Sequence, residues 1–365
     1  MTSCQRSYET LKDTSRFRIN DTDLDLDRKG YEMKVVGTQK IPPVYESWHG
    51  AAAYAQGQGH AQAGEPCQDY AAFASSNDVY VVCLADGAGT RRQSQHGAQA
   101  IVEGTTRYLT HCFDRLFSME DKEKVAHIVK LLRNILTKAA RENKCRPRDL
   151  ASTFLAVAVK EDRFIAMHVG DGVIGASCKD GLKVISMPEN GEYANTTVFT
   201  TAADLSEHVR IQSGNVSSVA GFILMSDGAS DTLHVHNTDK LAPAVGKLMI
   251  YCAEHPDEIG RDLQETLEEM MVPKTTDDCS VALLVSDSPR LHAYLGEDAP
   301  IMAAQEPDDA DDFQSDFTDE DIDEIISEVF DDTCEHKSAP PKVRKMPQRK
   351  TPPPPVRPPM KPPCR

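Results

Sequence analysis

Short apolar runs that stop at Gly or at an Asp-Gly pair punctuate the middle of this chain, and longer stretches with apolar residues at helical spacing separate them. Residues 79–85, 163–169 and 221–226 are brief and rich in β-branched and aromatic side chains, the signature of strands. Residues 95–109 and 122–143 instead place apolar side chains every three or four positions, the second through Val125, Ile128, Val129, Leu132, Ile135 and Leu136, which predicts amphipathic helices. The same pattern recurs at 241–253 and 258–271. Runs at 151–159, 164–169, 172–177, 182–187 and 222–226 follow one another mostly through turns too short for a crossover helix, so antiparallel pairing is expected. That order of elements predicts an α+β sandwich rather than a doubly wound parallel sheet.

Carboxylates stand where the apolar runs end. Leu84-Ala85-Asp86-Gly87-Ala88-Gly89, His168-Val169-Gly170-Asp171-Gly172, Met225-Ser226-Asp227-Gly228 and Thr276-Asp277-Asp278-Cys279-Ser280 each put Asp at the edge of an expected strand. A single Asp-Gly is an ordinary turn, because Asp bonds its own backbone and Gly tolerates positive φ. Three such pairs plus an Asp-Asp at strand ends can converge in space. Clustered carboxylate oxygens without nearby His or Cys suit hard cations such as Mg²⁺ or Mn²⁺ and suit zinc poorly.

In this order and context, together with the segments at 64–70 (containing Cys67-Gln68-Asp69-Tyr70), 151–156 and 191–199, the chain resembles the metal-dependent protein phosphatases, the type 2C serine/threonine family, in its bacterial-type branch. The resembling stretch runs from about residue 48 to about 287. The resemblance implies a four-layer α-β-β-α sandwich of two antiparallel sheets flanked by helices, with the metal site in a cleft at one edge. It implies hydrolysis of phosphoserine and phosphothreonine by water activated between two Mg²⁺ or Mn²⁺ ions, with room for a third. Asp86 should bridge the ions, the Gly87 carbonyl should bind one, and Asp227 and Asp277 should complete the shell. Asp69 should hold a coordinated water. Asp171 matches the position that, with Asp227, forms the third, weaker site. Asp278 is expected in a turn with backbone hydrogen bonds, and Asp231 in a supporting place along a helix. The substrate would be a phosphorylated protein, a cognate serine/threonine kinase or its target.

Two departures from the family pattern stand out. The stretch before Gln68 has no Arg for phosphate binding, and His60 is the polar candidate there, either for phosphate contact or proton donation or as a structural histidine. Ala88 occupies the place where animal members carry a His, and Arg91 and Arg92 follow as cations that either meet a phosphate or stand exposed.

The net charge of −17 argues against nucleic acid and anionic membrane surfaces as partners. Ten cysteines without a Cys-x-x-Cys pair read as reduced thiols, no run approaches a membrane span, and the start lacks a secretory signal, so a cytoplasmic protein is expected. Export by a leaderless route would leave no mark.

Four regions are expected: an arm at 1–45, the phosphatase domain at 46–287, an acidic linker at 288–336 with helix-forming periodicity, and a basic Pro-rich disordered tail at 337–365. The tail offers a surface for a binding protein, or is simply solvated. The competing functional reading is a weak or inactive phosphatase-fold protein that acts as a regulatory module through that tail.

Overall fold

The computed structural model describes residues 46–189, 197–235 and 240–295, and the expected arm, acidic segment and Pro-rich tail lie outside them. In chain order its first half contains β1 (Trp48–Ala55), α1 (Gln58–Ala63), β2 (Asp69–Ser76), β3 (Val79–Asp86), α2 (Ser94–Ser118), α3 (Asp121–Glu142), β4 (Phe154–Lys160) and β5 (Arg163–Val169). Then come β6 (Val173–Cys178), β7 (Gly181–Ser186), α4 (Leu205–His208), β8 (Arg210–Asn215), β9 (Val219–Met225), α5 (Asp227–Leu233), α6 (Pro243–Glu254), α7 (Ile259–Thr266), β10 (Cys279–Ser286) and α8 (Arg290–Leu295).

The strands form two five-stranded sheets, β1-β10-β9-β6-β7 and β2-β3-β4-β5-β8. Every pairing in both is antiparallel. Three apolar layers hold them together. Between the sheets lie Trp48, Val82, Leu84, Leu155, Phe222 and Leu284, with Trp48 and Phe222 stacked at 6.1 Å between ring centroids. Val81, Cys83 and Ala85 point the other way, onto α2 and α3. Ile223, Met225, Val281, Leu283 and Val285 meet α6 and α7 on the opposite outer face. The central strands are thus buried on both faces, which is why they read as continuous apolar runs without polar alternation. The α-β-β-α order implied by the resemblance is the one the chain adopts.

Consecutive strands do not always pair. Short turns do join β2 to β3, β4 to β5 and β6 to β7, but the three residues after β5 carry the chain from one sheet to the other instead of folding it back. Gly170 makes this possible with φ of 108°, where a Cβ would also press to 2.6 Å of the Thr153 side chain. The crossing leaves Asp171 at the rim between the sheets.

The folded unit continues past the sequence-based boundary at 287. Leu291 of α8 is fully buried against the outer layer, and Arg290 donates to the carbonyls of Val216 and Ser217 at 3.1 and 2.9 Å while pairing with Glu46. None of the seven described cysteines is in a disulfide, and no described helix is long and apolar enough to cross a membrane. The helical pattern at 258–271 holds as α7 only to Thr266; the chain then widens into a π turn at Leu267–Met271.

A candidate metal centre at the sheet edge

Three strand ends deliver three carboxylates to one place. Asp86 is the last residue of β3, Asp171 sits in the crossing after β5, and Asp227 opens α5 directly after β9. One oxygen from each lies within 4.8 Å of the others. All three side chains are half-buried. Such crowding of like charges is unfavourable unless a proton or a cation intervenes.

The charge balance shows the cost. Burial first, then the charges of Asp171 and Asp277, push the Asp227 carboxyl up to about 7, although the Gly228 N–H opposes the shift. Burial and the neighbouring Asp69 and Asp227 hold Asp86 well above the ordinary carboxylate range. Burial also raises Asp171, with the Thr197 hydroxyl that donates to its Oδ2 pulling the other way.

Asp69 is the fourth member, 3% exposed and paired in register with Asp86 across the β2–β3 ladder. Its Oδ2 accepts a hydrogen bond from the Ser280 hydroxyl at 2.6 Å, and its carboxyl is close enough to that of Asp86 for each to perturb the other. Burial and the charge of Asp278 carry it up to about 8 although the Ser280 hydroxyl opposes the shift. Its Oδ1 is buried and has no hydrogen-bond partner among the described residues. An acceptor-only oxygen left bare beside three converging carboxylates, with no nearby Cys or His in the trio, fits a hard divalent cation and its water shell.

The two aspartates before β10 behave differently. Asp277 is exposed, and its Oδ1 accepts from the N–H of Asp278 at 2.9 Å. It lies outside the trio, yet near enough for its charge to raise both Asp86 and Asp227. Asp278 is buried and accepts from the N–H groups of Gly57 and Gln68, both at 2.6 Å. Its Oδ2 also lies 2.9 Å from His60 Nδ1. The carboxylate therefore clamps the segment around α1 to the start of β10. Gly57 is needed there for space, since a Cβ would come within 2.2 Å of the Asp277 carbonyl.

His60 sits between an acidic and an amide partner. Nδ1 faces Asp278, and Nε2 lies 3.3 Å from Gln68 Nε2. Burial alone would lower its pKa, but the hydrogen bond and charge of Asp278 outweigh it and raise the value. Gln68 in turn accepts from the Ser94 hydroxyl at 2.7 Å, and its carbonyl receives the Gly87 N–H at 3.0 Å. This chain of contacts fixes the loop that opens at Gly87, directly after Asp86 at the end of β3. Arg91 and Arg92 in that loop are exposed, and Asp231 is exposed along α5.

Supporting residues that sequence reasoning passed over include Thr153, whose hydroxyl accepts from the Asp86 N–H at 2.9 Å, and Ser280. Both lie inside segments that carry the resemblance, but hydroxyl residues beside strands are too common to stand out. Ser226 is similar, its Oγ accepting from the Ser280 N–H at 2.9 Å. Of the segment at 191–199 that carries part of the resemblance, residues 191–196 lie outside the described residues.

Comparison with known proteins places residues 56–271 under the family model described as protein phosphatase 2C. Serine/threonine-protein phosphatase 3 of Escherichia coli (strain K12) is 30% identical over 183 residues, which cover 48% of this chain and 72% of that one. Among solved structures, serine/threonine phosphatase Stp1 from Staphylococcus aureus aligns with TM-score 0.45 at 13% identity, covering 70% of this chain and 98% of that one. The catalytic domain of the phosphatase PstP, in complex with 2 manganese ions, aligns with TM-score 0.44 at 15% identity, covering 66% and 99%.

Proposed function

Because this chain belongs to the protein phosphatase 2C family and is a metal-dependent protein serine/threonine phosphatase, we propose that its centre is the rim of Asp86, Asp171 and Asp227, and that it cleaves phosphoserine and phosphothreonine esters with water held in a two-cation site. The observation that carries this reading is the convergence of carboxylate oxygens from three separate strand ends within 4.8 Å. Asp86, the Gly87 carbonyl, Asp227 and Asp277 would hold a pair of Mg²⁺ or Mn²⁺ ions, and Asp171 with Asp227 a third, weaker one. Bound, such ions make water nucleophilic at neutral pH and neutralise charge on the phosphoryl oxygens.

The chain's own residues do the positioning. Thr153 pins the backbone of Asp86, so its carboxylate is aimed by β3 and not by a free loop. Asp69, fixed through Ser280, presents the bare Oδ1 and is the group to accept a hydrogen bond from the attacking water and orient it. His60 acts through Asp278 and Gln68, and thereby sets the loop of Gly87; direct proton donation would need its ring to leave Asp278. The substrates would be proteins phosphorylated by a serine/threonine kinase.

The test is hydrolysis of p-nitrophenyl phosphate with Mn²⁺ and with excess chelator, for the natural chain and for Asp227→Asn. Turnover should appear with the cation, vanish with the chelator and collapse in the variant. Turnover that survives the chelator refutes the metal mechanism.

A further inference from the structure

Behind Asp171 the edges of the two sheets are stitched together by side chains of β5 and β8. His168 Nδ1 lies 2.8 Å from the Ser186 hydroxyl, and Gln212 Nε2 donates to the Ile185 carbonyl at 2.8 Å. Arg210, paired in register with His168, forms the contact nearest the site. Its guanidinium donates to the Met187 carbonyl and, at 3.3 Å, to the carbonyl of Gly170, and its Nε lies 3.5 Å from Glu189 Oε2. Glu189 adds its own backbone N–H to the same Gly170 carbonyl at 3.0 Å, and His208 holds its other carboxylate oxygen at 2.9 Å.

Two donors from different elements thus converge on the peptide that immediately precedes Asp171. That peptide follows a residue at φ 108° in a three-residue crossing, where local backbone preference does little to fix the direction of the next side chain. The half-buried guanidinium forms an ion pair with one carboxylate and donates to two backbone carbonyls, one from each terminal nitrogen. A planar fork is suited to such fixed, multiple acceptors, and an ammonium is not.

We infer that Arg210, with Glu189, is a positioning residue for cation binding: by locking the Gly170 carbonyl it holds the Asp171 carboxylate in the trio with Asp86 and Asp227. The inference rests on the reading of Asp171 as a ligand and goes beyond it by naming what sets its aim. Neighbouring Gln212 makes the same kind of sheet-to-sheet contact without touching Gly170, so it separates positioning from simple stitching.

The experiment is calorimetric titration of the full chain with Mn²⁺, with thermal melting in chelator as the parallel readout. Arg210→Met should weaken the Asp171-dependent binding about tenfold or more, as losses of outer supporting groups do, and Glu189→Gln about threefold by removing one charge of the pair. Gln212→Ala should lower the melting temperature without changing Mn²⁺ affinity. Arg210→Lys should recover only part of the loss. Should Arg210→Met fail to fold, Glu189→Gln and Gln212→Ala decide the matter. Unchanged affinity in Glu189→Gln, or an equal loss in Gln212→Ala, overturns the inference. Asp171→Asn distinguishes the two levels: if it leaves Mn²⁺ binding intact, the ligand reading falls and the inference falls with it; if it weakens binding while Arg210→Met does not, the inference alone falls.

Discussion

Asp69 and Asp86 stand opposite each other on the last rung of the β2–β3 hairpin, their carboxyl groups close enough for each to shift the other's pKa. A two-residue turn at Asn77 and Asp78, with φ of 53° and 59°, closes that hairpin. Such a turn fixes register outright, so these two acids meet because each lies the same distance from the turn.

The buried acids make the cation-free fold pH-sensitive. Their pKa values are raised above those of the unfolded chain, so from about pH 4 upward the native state binds more protons than the unfolded state. Stability should therefore fall as pH rises through about 7 for Asp227 and about 8 for Asp69. Melting in chelator from pH 5 to 9 should show this decline. Mn²⁺ at a hundredfold excess over its Kd should add about 2.7 kcal/mol, or roughly 5–10 °C, with the larger shift at pH 8 than at pH 5. A flat profile in chelator would contradict the assigned burial.

Replacing Asp227 by Asn should separate stability from activity. One like charge leaves the cluster, so the cation-free variant should melt at or above the natural chain, while Mn²⁺-dependent turnover falls by about a hundredfold or more. A variant that is both less stable and still active would place Asp227 in the fold and not in the chemistry.

The adjacent aspartates should part company. Asp278→Asn removes the charge that binds two N–H groups and His60, and should cost about 3–5 kcal/mol in urea unfolding. Asp277→Asn, at an exposed position, should change stability by no more than about 0.5 kcal/mol yet weaken Mn²⁺ binding. Equal effects on stability would rule out the division.

Ser280→Ala deletes a hydrogen bond that lowers the Asp69 pKa. Asp69 should then hold its proton to still higher pH, and the acid limb of the pH–rate profile should move upward. A lower maximum with an unmoved limb would mean that Asp69 is not titrating in that limb.

The local pattern was sufficient for strands that end in Asp, for the amphipathic helices α2 and α3, and, through the order of motifs, for the layered fold. It also separated Asp86, Asp171 and Asp227 from ordinary Asp-Gly turns, because their spacing after apolar runs is a property of the chain. Burial of the central strands on both faces erased the alternation that would have said which face met which layer. The crossing at Gly170 could not be read either, since a three-residue link looks like a hairpin until the strands choose their partners. The acceptor set of Asp278, the bare oxygen of Asp69 and the grip of Arg210 on Gly170 join residues from 40 to more than 200 positions apart or depend on what lies across a gap. Sequence spacing determines which side chains lie at strand ends; only the packing of the two sheets decides which of those ends meet.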